Sequence, residues 1–267
     1  MVDATPAQLV EVAAGAGARA VCLFVEPIAV LPQMPAFNLF GDTPERRRTR
    51  ARMDDLGVEL DLAYPFTLAG RTEIEAFCPA LEAASYLGAY AVNVLVYDRI
   101  PARRTEKFAA FCELALSFDL KVVVEFYPAS QVRSLGEALA LTATVGADAR
   151  IGVNVDLLHL IRSGGSIADV SAAPTSALLY AQYCDAPSAG DPALIEAEAS
   201  SQRLYPGQGE LPVAAFAASL PVGLRTSVEA PREDLRAAGL SRADRASMAL
   251  NSTTKALEGV VGKYCSR

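Results

Sequence analysis

Seven strand-length apolar runs recur along the chain, separated by longer segments of helical spacing. This alternation limits the fold more than any other feature. The runs cover residues 19–26, 57–64, 90–97, 121–127, 150–156, 178–185 and 223–230, and most are rich in β-branched side chains. The helical segments between them open on start signals such as Thr5-Pro6 and Thr43-Pro44. Alternating strands and helices imply a parallel sheet covered by helices. Seven such strands in 267 residues suit a (β/α)8 TIM barrel better than an open doubly wound sheet. No Gly-rich dinucleotide fingerprint and no P-loop follows any run, which removes the usual open-sheet functions. No linker or low-complexity tract interrupts the pattern, so residues 1–267 are expected to form a single domain.

The barrel is expected to have a stunted or missing first strand. Only residues 1–4 precede the helix start at Thr5-Pro6. At ~3.3 Å per residue, four residues span little more than half of a typical strand. The alternative is a natural start that lies upstream. Strand edges left unpaired by the gap invite a covering loop, an altered closure or a partner chain, so a homo-oligomer is compatible with the reading.

Composition sets the remaining bounds. Hydrophobic residues make up 52% of the chain, aromatics only 7%, and Trp is absent, so aliphatic side chains must fill the core. A net charge of −7 opposes a nucleic-acid surface, which needs a basic footprint. No basic n-region precedes an apolar h-region, and no apolar run approaches the ~18 residues of a membrane span. The five cysteines are odd in number and widely spaced, which reads as reduced thiols in a cytoplasmic protein.

In TIM barrels the chemistry sits at the C-terminal ends of the strands. Glu125 lies near the end of the fourth run, Asp156 ends the fifth, Asp185 ends the sixth with Gln182 three residues before it, and Glu229 lies near the end of the seventh. Side chains alternate faces along a strand, so Asp156 shares its face with Asn154, and Glu229 with Ser227 and Arg225. Carboxylates converging in a confined mouth raise one another's pKa, and a divalent cation removes that repulsion. An all-oxygen set of Glu, Asp and amide suits Mg2+ or Mn2+ better than a thiolate site. Each acid taken singly is also compatible with a helix cap or a loop salt bridge.

The stretches KVVVEFYPASQVRSLGEALAL, IGVNVDLLHLIRSGG, YAQYCDAP, RLYPGQGELP and TSVEAPRE together resemble the xylose isomerase-like TIM-barrel superfamily. Within it they are similar to the sugar phosphate isomerase/epimerase group, which includes inosose dehydratases and ketose 3-epimerases. The resemblance implies metal ligands at Glu125, Asp156, Gln182 and Glu229. Gln182 stands where the group often has His, which disfavours Zn2+ or Co2+ relative to Mg2+ or Mn2+. It also implies that His159, the only histidine, and Arg203 bind substrate, with Glu198 in a supporting role.

The implied activity is metal-dependent isomerisation or epimerisation of a small polyhydroxylated ketone or sugar phosphate. Glu125 and Glu229 would remove and return an α-proton through an enediolate. A dehydratase or lyase acting on an inosose or dehydroshikimate-type substrate would use the same start, and a non-catalytic sugar-binding relative would keep the cavity alone. A DNA-repair phosphodiesterase on this barrel would need several histidines for multinuclear zinc, which one His excludes. The arginine-rich stretch 45–52 reads as the solvent face of a helix. The Pro-rich stretch 26–42 is long for a connection and reads as a lid, with Phe37 and Phe40 over substrate, or as a subunit contact.

Overall fold

A computed structural model describes residues 1–261 apart from Ala147. Cys265 lies outside the described residues. The chain opens on helix α1 (Pro6–Gly15), and Thr5 begins it as the spacing predicts: its side chain accepts from Gln8 N while the Gln8 side chain accepts from Thr5 N. There follow β1 (Ala20–Phe24), α2 (Pro44–Leu56), β2 (Glu59–Leu68), α3 (Cys78–Leu87), β3 (Ala91–Val96), α4 (Pro101–Ser117) and β4 (Lys121–Glu125). Next come α5 (Leu135–Ala143), β5 (Ile151–Asp156), α6 (Leu157–Arg162), α7 (Ile167–Ala172) and β6 (Leu178–Tyr183). The chain continues through α8 (Ile195–Ser201), α9 (Val213–Ser219), β7 (Arg225–Val228), α10 (Glu233–Ala237) and α11 (Arg242–Val261).

All seven strands are parallel and pair in sequence order from β1 to β7. This is a TIM barrel with its first strand missing: among the described residues no strand precedes α1, and β1 and β7 do not pair. The outer layer bridges the seam instead. Asp3 holds Arg245 at 2.5 Å and Arg242 at 3.3 Å, tying the start of the chain to α11.

The outward faces of the strands are aliphatic. Val92, Val94, Val122, Val124, Val153 and Val155 pack against the helices with Phe108, Phe111 and Leu158. Facing inward, Leu62, Ala91, Val123 and Tyr180 fill the floor of the barrel. Above that floor the inward residues turn polar. Glu125 pairs in register with Asn154, and Asp156 with Gln182. One cavity of about 1490 Å3 holds this polar mouth and continues sideways between β1 and β7 to α1 and α11. It exceeds the ~300–1,000 Å3 of ordinary ligand pockets because the seam adds to the mouth.

Candidate active site

The four expected acidic and amide positions converge. Glu125 and Asp156 are the last residues of β4 and β5, and Gln182 is the penultimate residue of β6. Glu229 follows β7, where its N–H donates to Tyr183 O at 2.9 Å and so continues the ladder by one residue. Glu125, Gln182 and Glu229 line the cavity together with His159 and Arg203.

Asp156 does two jobs. Its Oδ1 accepts from His159 N at 3.0 Å and caps α6, while its Oδ2 accepts from Arg203 Nη1. The cap explains the local sequence: a strand runs straight into a helix, and the carboxylate that satisfies the helix N-terminus brings the imidazole three residues on. His159 Nε2 then lies 3.3 Å from Glu125 Oε1 and 3.4 Å from Arg203 Nη2, with its ring against Tyr127 at 4.8 Å.

Arg203 is fixed from several sides. Its Nε donates to Ala199 O at 2.9 Å and its Nη1 to Glu229 O at 3.1 Å. Burial acts to lower the Arg203 pKa, but Asp156 and Glu229 hold it well above its ordinary value. Burial acts to raise the Asp156 pKa, but Arg203 and His159 hold it below the usual carboxylate range. Glu229 goes the other way. Its side chain keeps 38% exposure and lines the cavity. Burial, with Glu125 and Asp156 nearby, pushes its pKa up to about 7 against the pull of Arg203.

One ligand atom from each of the buried Glu125, Asp156 and His159 lies within 4.8 Å of the others, a spacing that can hold a divalent metal. The donor set of carboxylate oxygen and imidazole nitrogen is chemically suited to such an ion. Gln182 stands at the same level. Its Nε2 donates to Glu229 Oε2 at 2.6 Å and Tyr64 Oη at 3.0 Å.

Several further residues contribute to the site. Asn93 donates to Glu125 Oε2, and Asn154 lies between Asn93 and Gln182. A signal for both was present: each is a lone amide inside a valine-rich run. Tyr64 carried no comparable signal. Glu198 pairs with Arg162 at 2.7 Å and binds α8 to α6. Asp185 accepts from Ala186 N, Gly207 N and Leu211 N, each at 2.9 Å, and so shapes the turn after Arg203. Gly209 passes so close that an added Cβ would lie 2.5 Å from Asp185 Oδ1 and Ala186 O. Phe37 lines the cavity, and Phe40 packs into the core beside it. Among the arginines of α2, Arg50 and Arg52 pair with Asp54 and Glu11 at 2.7 and 2.9 Å.

A model of the xylose isomerase-like TIM barrel family matches residues 10–247. The chain belongs to that family. No curated protein matches it in sequence. Among solved structures, a xylose isomerase-like TIM barrel/4-hydroxyphenylpyruvate dioxygenase fusion protein aligns at a TM-score of 0.78 and 19% identity; the match covers 98% of this chain but 43% of the fusion. The IolI protein, solved with a bound zinc atom, aligns at 0.75 and 17% identity, covering 94% of this chain and 92% of that one. D-psicose 3-epimerase from Clostridium cellulolyticum H10 aligns at 0.67 and 13% identity, covering 95% and 94%. At these identities the likeness concerns the fold of this xylose isomerase-like barrel.

Proposed function

We propose that the protein is an enzyme, a divalent-metal-dependent isomerase or epimerase of a small polyhydroxylated ketone or sugar. The observation that carries this reading is the convergence of Glu125 and Glu229 on one cavity, with Asp156, His159 and Arg203 beside them. Glu125, Asp156 and Glu229 would hold the cation, with Gln182 beside them. Mg2+ or Mn2+ fits this oxygen-rich set best. When bound, such a cation polarises a carbonyl and an adjacent hydroxyl.

The chain's own residues supply the rest. His159 and Arg203 offer hydrogen bonds to substrate oxygens. Glu229, with its pKa near 7, is suited to exchange a proton with carbon at neutral pH. Glu125, oriented by Asn93 and His159, serves as the second carboxylate, and the pair can remove and return the proton next to the carbonyl. Tyr127 and Tyr97 wall the cavity and limit water at the reacting carbon. The substrate is a small molecule. Four free cysteines among the described residues support a reducing, cytoplasmic setting, and no helix there is long and apolar enough to cross a membrane.

The test is turnover in D2O with Mn2+ and a panel of ketoses and inososes. Deuterium should enter the carbon beside the carbonyl. Turnover without that label would overturn proton abstraction, and release of water from the product would move the activity to the dehydratases.

A further inference from the structure

A chain of buried amides runs beneath the acidic cluster, crossing from β3 to β7. Asn93 is 1% exposed, Asn154 is fully buried and Gln182 is 1% exposed. Asn93 Nδ2 donates to Glu125 Oε2. Asn154 Nδ2 donates to Asn93 Oδ1 at 3.0 Å and to Gln182 Oε1. Gln182 Nε2 donates to Glu229 Oε2 at 2.6 Å.

The direction of this chain follows from its ends. Asn93 turns its nitrogen to Glu125 Oε2 and its oxygen to Asn154. That oxygen requires a donor, so Asn154 presents its nitrogen. The two protons on this nitrogen serve Asn93 on one side and Gln182 on the other. The oxygen of Gln182 is thereby turned toward Asn154, and its nitrogen toward Glu229 and Tyr64. Inverting one amide alone sets two acceptors or two donors face to face in a buried space, which is unfavourable. Asn154 shows how strong the constraint is: its Oδ1 is buried with no hydrogen-bond partner, while its nitrogen serves two oxygens.

We propose that Asn154 is a positioning residue that fixes the orientation of Gln182, so that Gln182 meets the acidic cluster as a hydrogen-bond donor and not as an oxygen ligand. A cation in the mouth is then held by Glu125, Asp156 and Glu229 without the Gln182 oxygen. This consequence rests on the metal-binding reading of the site; the orientation itself does not.

Two measurements decide it. Neutron diffraction from the metal-free protein reads the orientation directly. Deuterium is expected on the Gln182 atom that faces Glu229, and an oxygen there overturns the proposal. The second readout is Mn2+ affinity by calorimetry, with Mn2+ alone as the probe. Gln182→Leu removes a hydrogen bond to Glu229 and not a ligand, so it should weaken Mn2+ by no more than the ~10–100-fold of losing a partner of a ligand; complete loss of binding overturns it. In the Asn154→Asp background an ionised residue 154 only accepts, so Gln182 turns its nitrogen to it and its oxygen to the mouth. There Gln182→Leu removes a ligand and should weaken Mn2+ by a clearly larger factor than in the wild-type background. An equal effect in both backgrounds removes Asn154 from the role. If Asn154→Asp does not fold, the wild-type neutron map and the single Gln182→Leu titration still decide. If the wild type takes up no Mn2+, the metal reading fails while the neutron map still judges the amide chain.

Discussion

At Glu229, burial and two neighbouring carboxylates act against one arginine, and the carboxyl settles near neutrality. Glu229→Gln keeps the volume and removes the proton carrier. It should lower kcat by ~10²–10⁴-fold, the usual worth of a positioned acid or base, with little change in melting temperature. Steady-state kinetics beside a thermal melt check both halves. Arg203 sits among Asp156, His159 and Glu229 and is almost fully buried. Arg203→Met should destabilise the protein by about 3–5 kcal/mol, because Asp156 is left as an uncompensated buried charge. Urea unfolding measures this. At this scale sequence reading went far. Asp156 and His159 are tied by a cap whose spacing is visible in the chain. The amides were harder to interpret, because a lone Asn in an apolar strand says that something polar is near it but not what. Tyr64 was out of reach, since an aromatic residue in a strand is ordinary core material.

Elements place these residues, and the turns after the strands hold them there. At the end of β3, Asp98 accepts from Ile100 N at 3.0 Å and from Arg103 Nε at 2.6 Å, which fixes the start of α4. The Arg103 hydrogen bond leads the groups that lower its pKa, to about 2. A carboxyl whose folded pKa is depressed stabilises the fold above its unfolded pKa of ~3.9, and that stability is lost as pH falls through the folded value. The gap in stability between wild type and Asp98→Asn should therefore be full above about pH 4 and close as the pH falls toward 2. Denaturant titrations across that range test the sign. After β6, Gly209→Ala would push a Cβ into Asp185 and the Ala186 carbonyl and should cost ~1–3 kcal/mol, measured by the same unfolding. Period and start signals made the seven strands legible in the sequence. The short helix α8 was not, because no side chain caps its start and it is held instead by the Arg162–Glu198 pair.

The whole molecule is a ring of seven neighbours with one junction left unbonded. Strands in the middle of the sheet are paired on both sides, while β1 and β7 are paired on one. Hydrogen exchange should therefore rank β7 and β1 as the fastest strands and β4 as the slowest, and uniform protection around the barrel would contradict an open seam. The seven parallel strands were legible because seven strand-length runs alternate with helical segments. The bridging by Asp3 was not, since it needs two arginines more than 230 residues away in sequence. A closed barrel dictates its own girth, because strand number and stagger leave no freedom. An open one does not. Glu229 stands on the strand beside the seam, whereas Glu125 stands on β4, in the middle of the sheet. Between them β4, β5, β6 and β7 pair without a break, so the open seam lies outside the span of the two carboxylates. The row of amides beneath them spans the same arc, so side chains brace the width of a reacting gap that the paired backbones set.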